Sequence, residues 1–281
     1  MADFLNPTVR QRELGVRLRE LRNAKSMTVE MVAKELLCSP TKISRAETGV
    51  RRATLRDVRD LCRIYGVDPK TSADLMELAR GAYQSGWWTK YDDLKIAPLI
   101  GLEQDASAIT SFGMYFFPAL LQSERYARAI IKGIAPKIEE KILDQRVKAR
   151  MERQQRLYEA KPPKYRVLLD EAVLRRHIGG PSVMRAQLDH VLALMREEKA
   201  TVHVIPYAVG AYGANESNFT YLEFVGTKLP HMVFVEMLTS HIYLERPEDV
   251  DRYIEALDLL RDAALNPRDS AKKIEEIRDE F

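Results

Sequence analysis

The spacing of apolar residues along the first 80 residues predicts five short helices. Leu14, Leu18 and Leu21 recur at intervals of four and three residues, so they form one apolar stripe on a helix over residues 8–24. Stripes of the same kind predict four further helices, over residues 28–37 and 40–48, from Thr54 onward and over residues 71–84. Five helices in so short a stretch indicate a small all-α domain, to which we assign residues 1–84.

Two helix-start signals lie close together in the middle of this region. Thr28 is a suitable N-cap for the second helix. Ser39 followed by Pro40 is a suitable start for the third helix, because proline fits the first helical position. Too few residues join these two helices for them to fold back antiparallel. This spacing is typical of a helix-turn-helix, which presents its second helix to the major groove of DNA.

The rest of the chain, residues 85–281, mixes two kinds of pattern and is assigned to a second domain. Helical patterns cover residues 100–112, 123–160 (one long helix, or two broken near residues 133–136), 181–198, 247–265 and 269–280. Short runs typical of strands cover residues 166–169, 201–205, 219–224, 232–236 and 241–244. We therefore predict an α+β fold, in which the all-α domain precedes a mixed α/β domain with a small, mostly antiparallel sheet.

Composition excludes several classes of protein. The 281 residues are 46% hydrophobic and 30% charged, which is enough apolar material to bury a core. No apolar run reaches the roughly 18 residues of a membrane span, and the N-terminus lacks the pattern of a signal peptide. The two cysteines, Cys38 and Cys62, form neither a disulfide scaffold nor a zinc site. We expect a cytoplasmic protein without membrane contact.

The charge is unevenly distributed along the chain. The whole chain has a formal net charge of +3, whereas residues 1–90 contain 17 Lys and Arg against 11 Asp and Glu and so carry +6. The remainder is therefore slightly acidic. A basic N-terminal third on an acidic body indicates a nucleic-acid-binding module joined to a different domain.

The segment from Thr28 to Gly49 resembles the helix-turn-helix core of the Xre family, relatives of phage repressors. Its most specific part is the pattern Ile-Ser-Arg-x-Glu-x-Gly over residues 43–49. The segment departs from the family at two positions. Leu37 replaces the usual glycine of the turn, and Val29 replaces a frequent glutamine that touches the DNA backbone. A left-handed backbone at the turn would cost a non-glycine residue about 1 kcal/mol.

The second domain resembles the C-terminal domain of unknown function that follows such modules in actinobacterial regulators of the WhiJ type. The matching segments include residues 118–129, the sequence Arg-Met-Glu-Arg-Gln over 150–154, and residues 170–175. The resemblance implies a transcriptional regulator with a small partner protein in an antitoxin-like arrangement. It supplies no catalytic residue.

The third helix is the element predicted to recognise DNA. Side chains near the N-terminal end of such a helix contact base edges. We expect base contacts from Thr41, Lys42, Ser44 and Arg45. We expect phosphate contacts, which position the protein without specifying sequence, from Thr28, Ser39, Arg51 and Arg52. The alternative for each is an ordinary solvated side chain. Ile43 should point into the core, and Glu47 should hold a nearby arginine rather than contact a base.

The sequence contains no motif of a known catalytic or metal chemistry. The five histidines show no metal-ligand spacing, and both the nucleophile elbow and the phosphate-binding loop are missing from the sequence. We therefore predict no enzyme, no cofactor and no metal. The alternative is an enzyme fused to a helix-turn-helix, with His177, or Asp170 and Glu171, in a cleft.

Together these patterns predict a sequence-specific transcriptional regulator that binds a double-stranded DNA operator. One such module makes few base contacts, so we expect a homodimer on two half-sites. Residues 85–281 would mediate dimerisation and receive a signal, either from a small acidic protein or from an unidentified small-molecule ligand. The alternative is an antitoxin-like protein-interaction module that regulates its own operon.

Overall fold

A computed structural model describes residues 9–83, 86–91, 97–213, 217–226, 229–237 and 240–281. The chain divides into two compact units. Unit 1 comprises Met1–Asp105 with Phe224–Leu229, and unit 2 comprises Ala106–Glu223 with Pro230–Phe281. The predicted domain boundary at residues 84 and 85 lies outside the described residues and stays a prediction.

Unit 1 contains all five predicted helices. They are α1 (Val9–Ala24), α2 (Val29–Glu35), α3 (Pro40–Glu47), α4 (Leu55–Tyr65) and α5 (Pro69–Ala82), and a further helix, α6, covers Ala97–Asp105. The helices α1 to α5 share one core, in which Leu18, Val32 and Val58 are fully buried. Helix α5 begins two residues before its predicted start, because the Asp68 carboxylate accepts the backbone N–H of Lys70 and caps the helix there.

Unit 2 contains six strands and six α-helices among the described residues. The strands are β1 (Ala108–Gly113), β2 (Lys164–Asp170), β3 (Thr201–Ile205), β4 (Phe219–Glu223), β5 (Met232–Glu236) and β6 (His241–Leu244). The helices are α7 (Glu124–Ile134), α8 (Glu140–Gln154), α9 (Glu171–Arg175), α10 (Pro181–Arg196), α11 (Pro247–Ala263) and α12 (Pro267–Asp279). The α+β prediction is confirmed.

The six strands form one mixed sheet in the order β3-β2-β1-β4-β5-β6. Strands β1, β2 and β3 are parallel, whereas β4, β5 and β6 each pair antiparallel with the preceding neighbour in that order. Helix α11 contributes Val250, Leu257 and Leu260 to a cluster that includes Phe112 of β1 and Leu168 of β2. Three of the five pairings are antiparallel, as expected, and two are parallel. The sheet has one strand more than the five predicted from the sequence.

The prediction of a helix over residues 100–112 was wrong beyond Asp105. Residues Ala108–Gly113 form β1, the strand on which β2 and β4 both pair. Every residue of this strand is buried, so it lacks the polar alternation that identifies a half-exposed strand. Of the two alternatives for residues 123–160, the broken one holds: α7 ends at Ile134 and α8 begins at Glu140.

The turn between α2 and α3 has the left-handed backbone that the Xre resemblance implies. Leu37 has a φ of +53°, and its side chain is 93% exposed. The next residue closes the turn, because the Cys38 N–H donates to the Ala33 carbonyl at 2.9 Å. Leu37 therefore bears a backbone cost with no compensating burial.

We expect Leu37→Gly to stabilise unit 1 by about 1 kcal/mol, because glycine adopts a positive φ without a steric penalty. Urea denaturation of the full chain, followed by helical circular dichroism, measures the change. The matched control is Leu36→Gly. Leu36 packs against the core at a φ of −82°, so its replacement should destabilise. Equal destabilisation by the two variants would contradict the assignment of strain to Leu37.

Candidate nucleic-acid interface

Two side-chain caps define where α2 and α3 begin. The Thr28 hydroxyl accepts the Met31 N–H, and the Ser39 hydroxyl accepts the Lys42 N–H, each at 3.3 Å. Each cap satisfies a backbone donor that the helix itself leaves without a partner. Both caps are exposed. The two predicted phosphate-contacting hydroxyls therefore lie at the accessible N-termini of the two helices of the motif.

The two faces of α3 differ sharply in burial. Ile43 is 2% exposed and belongs to the core of unit 1, as predicted. Thr41, Ser44 and Arg45 lie on the opposite face and are exposed. Three of the four predicted base-contacting residues are therefore brought together on one solvent-facing surface, which we call the outer face of α3.

Lys42, the fourth predicted base-contacting residue, is held by an ion pair. Its Nζ lies 2.6 Å from the Asp57 carboxylate on α4. Burial acts to raise the pKa of Asp57, but the hydrogen bonds from Lys42 and Thr54 outweigh it and lower the pKa. A base contact by Lys42 thus requires it to leave Asp57, and this contact stays a prediction.

Glu47 at the end of α3 forms an ion pair with Arg22 of α1. Its carboxylate accepts from Arg22 Nε at 2.7 Å and from Arg22 Nη2 at 2.8 Å, a two-point ion pair. Glu47 is 4% exposed. Arg22 Nη1 also donates to the Met27 carbonyl at 2.9 Å, which ties in the segment before α2. The expectation that Glu47 holds a local arginine is confirmed, and this hydrogen bond raises the pKa of Arg22.

Helix α1 also approaches α3 through a glycine whose importance the sequence pattern did not reveal. A Cβ placed on Gly15 would lie 2.6 Å from the Glu47 carbonyl oxygen and 2.7 Å from that of Ala46. Only a residue without a side chain permits this approach. A glycine on the buried stripe of α1 was the available signal, since glycine inside a helix often marks close packing.

The two arginines after α3 have different surroundings. Arg51 is exposed, and its backbone N–H donates to the Arg45 carbonyl at 2.9 Å. Arg52 is half-buried, and its Nε donates to the Gln11 side chain at 3.3 Å while its guanidinium lies 5.9 Å from the centre of the Tyr83 ring. Arg51 is therefore the more accessible of the two predicted phosphate contacts.

The residues named for an alternative enzyme are engaged in structural contacts in unit 2. The Asp170 carboxylate caps α9 through the Ala172 N–H at 2.8 Å and accepts from the Tyr212 hydroxyl. Glu171 is buried, accepts from Arg175 Nε at 2.7 Å and has a lowered pKa because hydrogen bonds outweigh burial. The His177 ring lies on Phe281, with 4.9 Å between ring centres. Each of the three side chains thus makes at least one structural contact within unit 2.

The described ranges contain neither a metal-binding group of side chains nor a helix that could cross a membrane. Within them, no three His, Cys, Asp or Glu side chains are grouped so that they could hold a metal ion. None of the helices in those ranges combines the length and the hydropathy needed to cross a membrane.

Two family models match separate parts of the chain. Residues 13–75 match the model of a helix-turn-helix domain, and residues 96–276 match that of a domain of unknown function, DUF5753. A similar solved structure is the crystal structure of the clp gene regulator ClgR from C. glutamicum, at 24% identity and a TM-score of 0.23. The alignment covers 28% of this chain and 99% of that one. No curated protein matches. Because the DUF5753 model matches more than half of the chain, the chain belongs to the DUF5753 family.

Proposed function

We propose that this chain is a sequence-specific DNA-binding transcriptional regulator and that α3 docks in the major groove. The observation that carries the proposal is the outer face of α3, where Thr41, Ser44 and Arg45 are exposed while Ile43 is buried. Major-groove base edges offer hydrogen-bond donors and acceptors that such side chains match. The helix-turn-helix match over residues 13–75 supports the same function.

Contacts to phosphates would orient this helix on the duplex. Thr28 and Ser39 lie at the exposed starts of α2 and α3, where the helix dipoles also favour a phosphate. Arg51 follows α3 and is exposed, so it suits a purely electrostatic contact with a phosphate. These groups position the protein, whereas the outer face of α3 selects the sequence.

Arg45 and Arg51 should differ in what their removal does to binding. If Arg45 contacts a base edge, Arg45→Ala loses about 1–3 kcal/mol of affinity for the operator and little for a scrambled duplex. Arg51→Ala should weaken both duplexes alike and flatten the dependence of log K on log salt by about one unit. Mobility-shift titrations at several salt concentrations, with an operator selected from genomic fragments, make the comparison.

Two outcomes would contradict this placement. Wild-type operator affinity in both variants would mean that α3 does not face DNA. Equal losses on operator and scrambled duplex in Arg45→Ala would mean that Arg45 contacts phosphate only. Glu35→Ala is a suitable surface control, because Glu35 is exposed at the end of α2.

We further propose that the chain acts as a homodimer and that unit 2 receives the signal. One α3 helix spans few base pairs, so useful affinity needs two half-sites about 34–36 Å apart, or a multiple of that distance. Sedimentation of the full chain should then give a dimer, and one half-site deleted from the operator should lower the affinity by two or more orders of magnitude. A monomeric protein that binds a single half-site as tightly as the full operator would contradict the proposed dimer. The acidic partner protein and the antitoxin-like arrangement stay predictions.

A further inference from the structure

The order of strands in unit 2 reverses at β1. From β1 the chain adds β2 and then β3 on one side, and it returns to add β4 on the other side of β1. In open sheets with parallel strands, ligands bind outside the carboxyl ends of the strands at such a reversal. The carboxyl end of β1 is Gly113, and Phe219, the first residue of β4, lies beside it opposite Phe112. The topology therefore favours this edge of the sheet as the position of a ligand site in unit 2.

The chain that leaves this edge is fixed by three glutamine side chains. Gln122 Nε2 donates to the Phe117 carbonyl at 2.6 Å. Gln154 Nε2, from the end of α8, donates to the Gln122 carbonyl at 2.6 Å. Gln187, from α10, donates to the Leu121 carbonyl at 2.7 Å and accepts the Ser123 N–H, also at 2.7 Å. All three glutamines are buried, so the turn after β1 is rigidly held.

Arg150 of α8 is positioned by the same network. Its Nη1 donates to Gln122 Oε1 at 2.7 Å, and Gln122 is in turn oriented by its bond to the Phe117 carbonyl. Gln122 is the single hydrogen-bonding partner of the Arg150 side chain within the described residues, and no carboxylate in those residues lies within ion-pair distance of it. Among the described residues, four of its five N–H groups thus remain available to another acceptor.

The surroundings of Arg150 add to this availability. The residue is half-buried, and burial, together with the neighbouring charge of Arg153, lowers the pKa of Arg150 to about 10. It still carries its charge at neutral pH. The charge of Glu236, the last residue of β5, acts to raise that pKa, but the two side chains form no salt bridge within the described residues. A partly desolvated guanidinium that no described carboxylate pairs with favours an anion.

We propose that Arg150 binds the oxyanion group of a small molecule, a carboxylate or a phosphate, next to Gln122 in the segment that follows β1. The planar guanidinium offers two parallel N–H donors, the arrangement that both groups accept. Gln122 holds Arg150 before the ligand arrives, so binding does not bear the cost of ordering the side chain. The site lies in unit 2, and its test does not depend on DNA binding.

Isothermal titration of the full-length protein tests this proposal, with pyrophosphate and succinate as separate probes at constant ionic strength in chloride. The wild type should bind at least one probe saturably, and the stronger probe distinguishes a phosphate from a carboxylate ligand. Arg150→Gln should weaken that binding about 10- to 100-fold, which is the usual value of a charge-assisted hydrogen bond converted to a ratio. The control Lys148→Gln removes an exposed charge from the same helix and should leave the affinity unchanged.

Two further variants keep the result decisive. Arg51→Ala controls for anion binding by the proposed phosphate contacts of unit 1 and should bind the probe as the wild type does. Arg150→Lys keeps the charge and loses the paired donors, so it should bind more weakly than the wild type even where Arg150→Gln fails to fold, as circular dichroism would show. The proposal is overturned if the wild type binds neither probe saturably, or if a folded Arg150 variant keeps the wild-type affinity.

Discussion

The ion pair between Glu47 and Arg22 is the interaction on which the outer face of α3, the proposed DNA-binding surface, depends. A carboxylate that is 4% exposed at the end of α3 is costly unless it is paired, and Arg22 of α1 meets both of its oxygens. Because the same guanidinium also holds the Met27 carbonyl, one side chain joins α1, the start of α2 and the end of α3. The close approach of Gly15 to the Glu47 backbone also holds α1 against the end of α3. With its inner face fixed in this way, α3 can present only its outer face.

Unit 2 depends on a different constraint, the central strand β1. It pairs with parallel β2 on one side and antiparallel β4 on the other, so it joins the two halves of the mixed sheet. The turn after β1 is then held by buried glutamines, one of which positions Arg150. A buried polar network of this kind is stable only when its members have hydrogen-bond partners. The Arg150 guanidinium, at the margin of the network, is the group to which we propose that a ligand binds.

Much of unit 1 was predictable because its signals are local. Thr28 and Ser39 act within three residues of their own position. The strained turn at Leu37 was implied by the Xre resemblance, because the family usually has glycine at that position. The pairing of Lys42 with Asp57 was not predictable, since it joins residues 15 apart through the fold. In unit 2, β1 was missed because complete burial removes the alternation of a strand. The bond between Arg150 and Gln122 joins residues 28 apart and leaves no pattern in the sequence.

Native-state hydrogen exchange of the α3 amides tests most directly whether Glu47 fixes this helix. In Glu47→Gln, Arg22 loses its counter-charge in a site where its side chain is 13% exposed. The account predicts that the exchange free energy of the Ile43–Glu47 amides falls by about 3–5 kcal/mol, or to the limit set by global unfolding, while the exposed control Glu35→Gln leaves it unchanged. Wild-type exchange of those amides in Glu47→Gln would contradict the account.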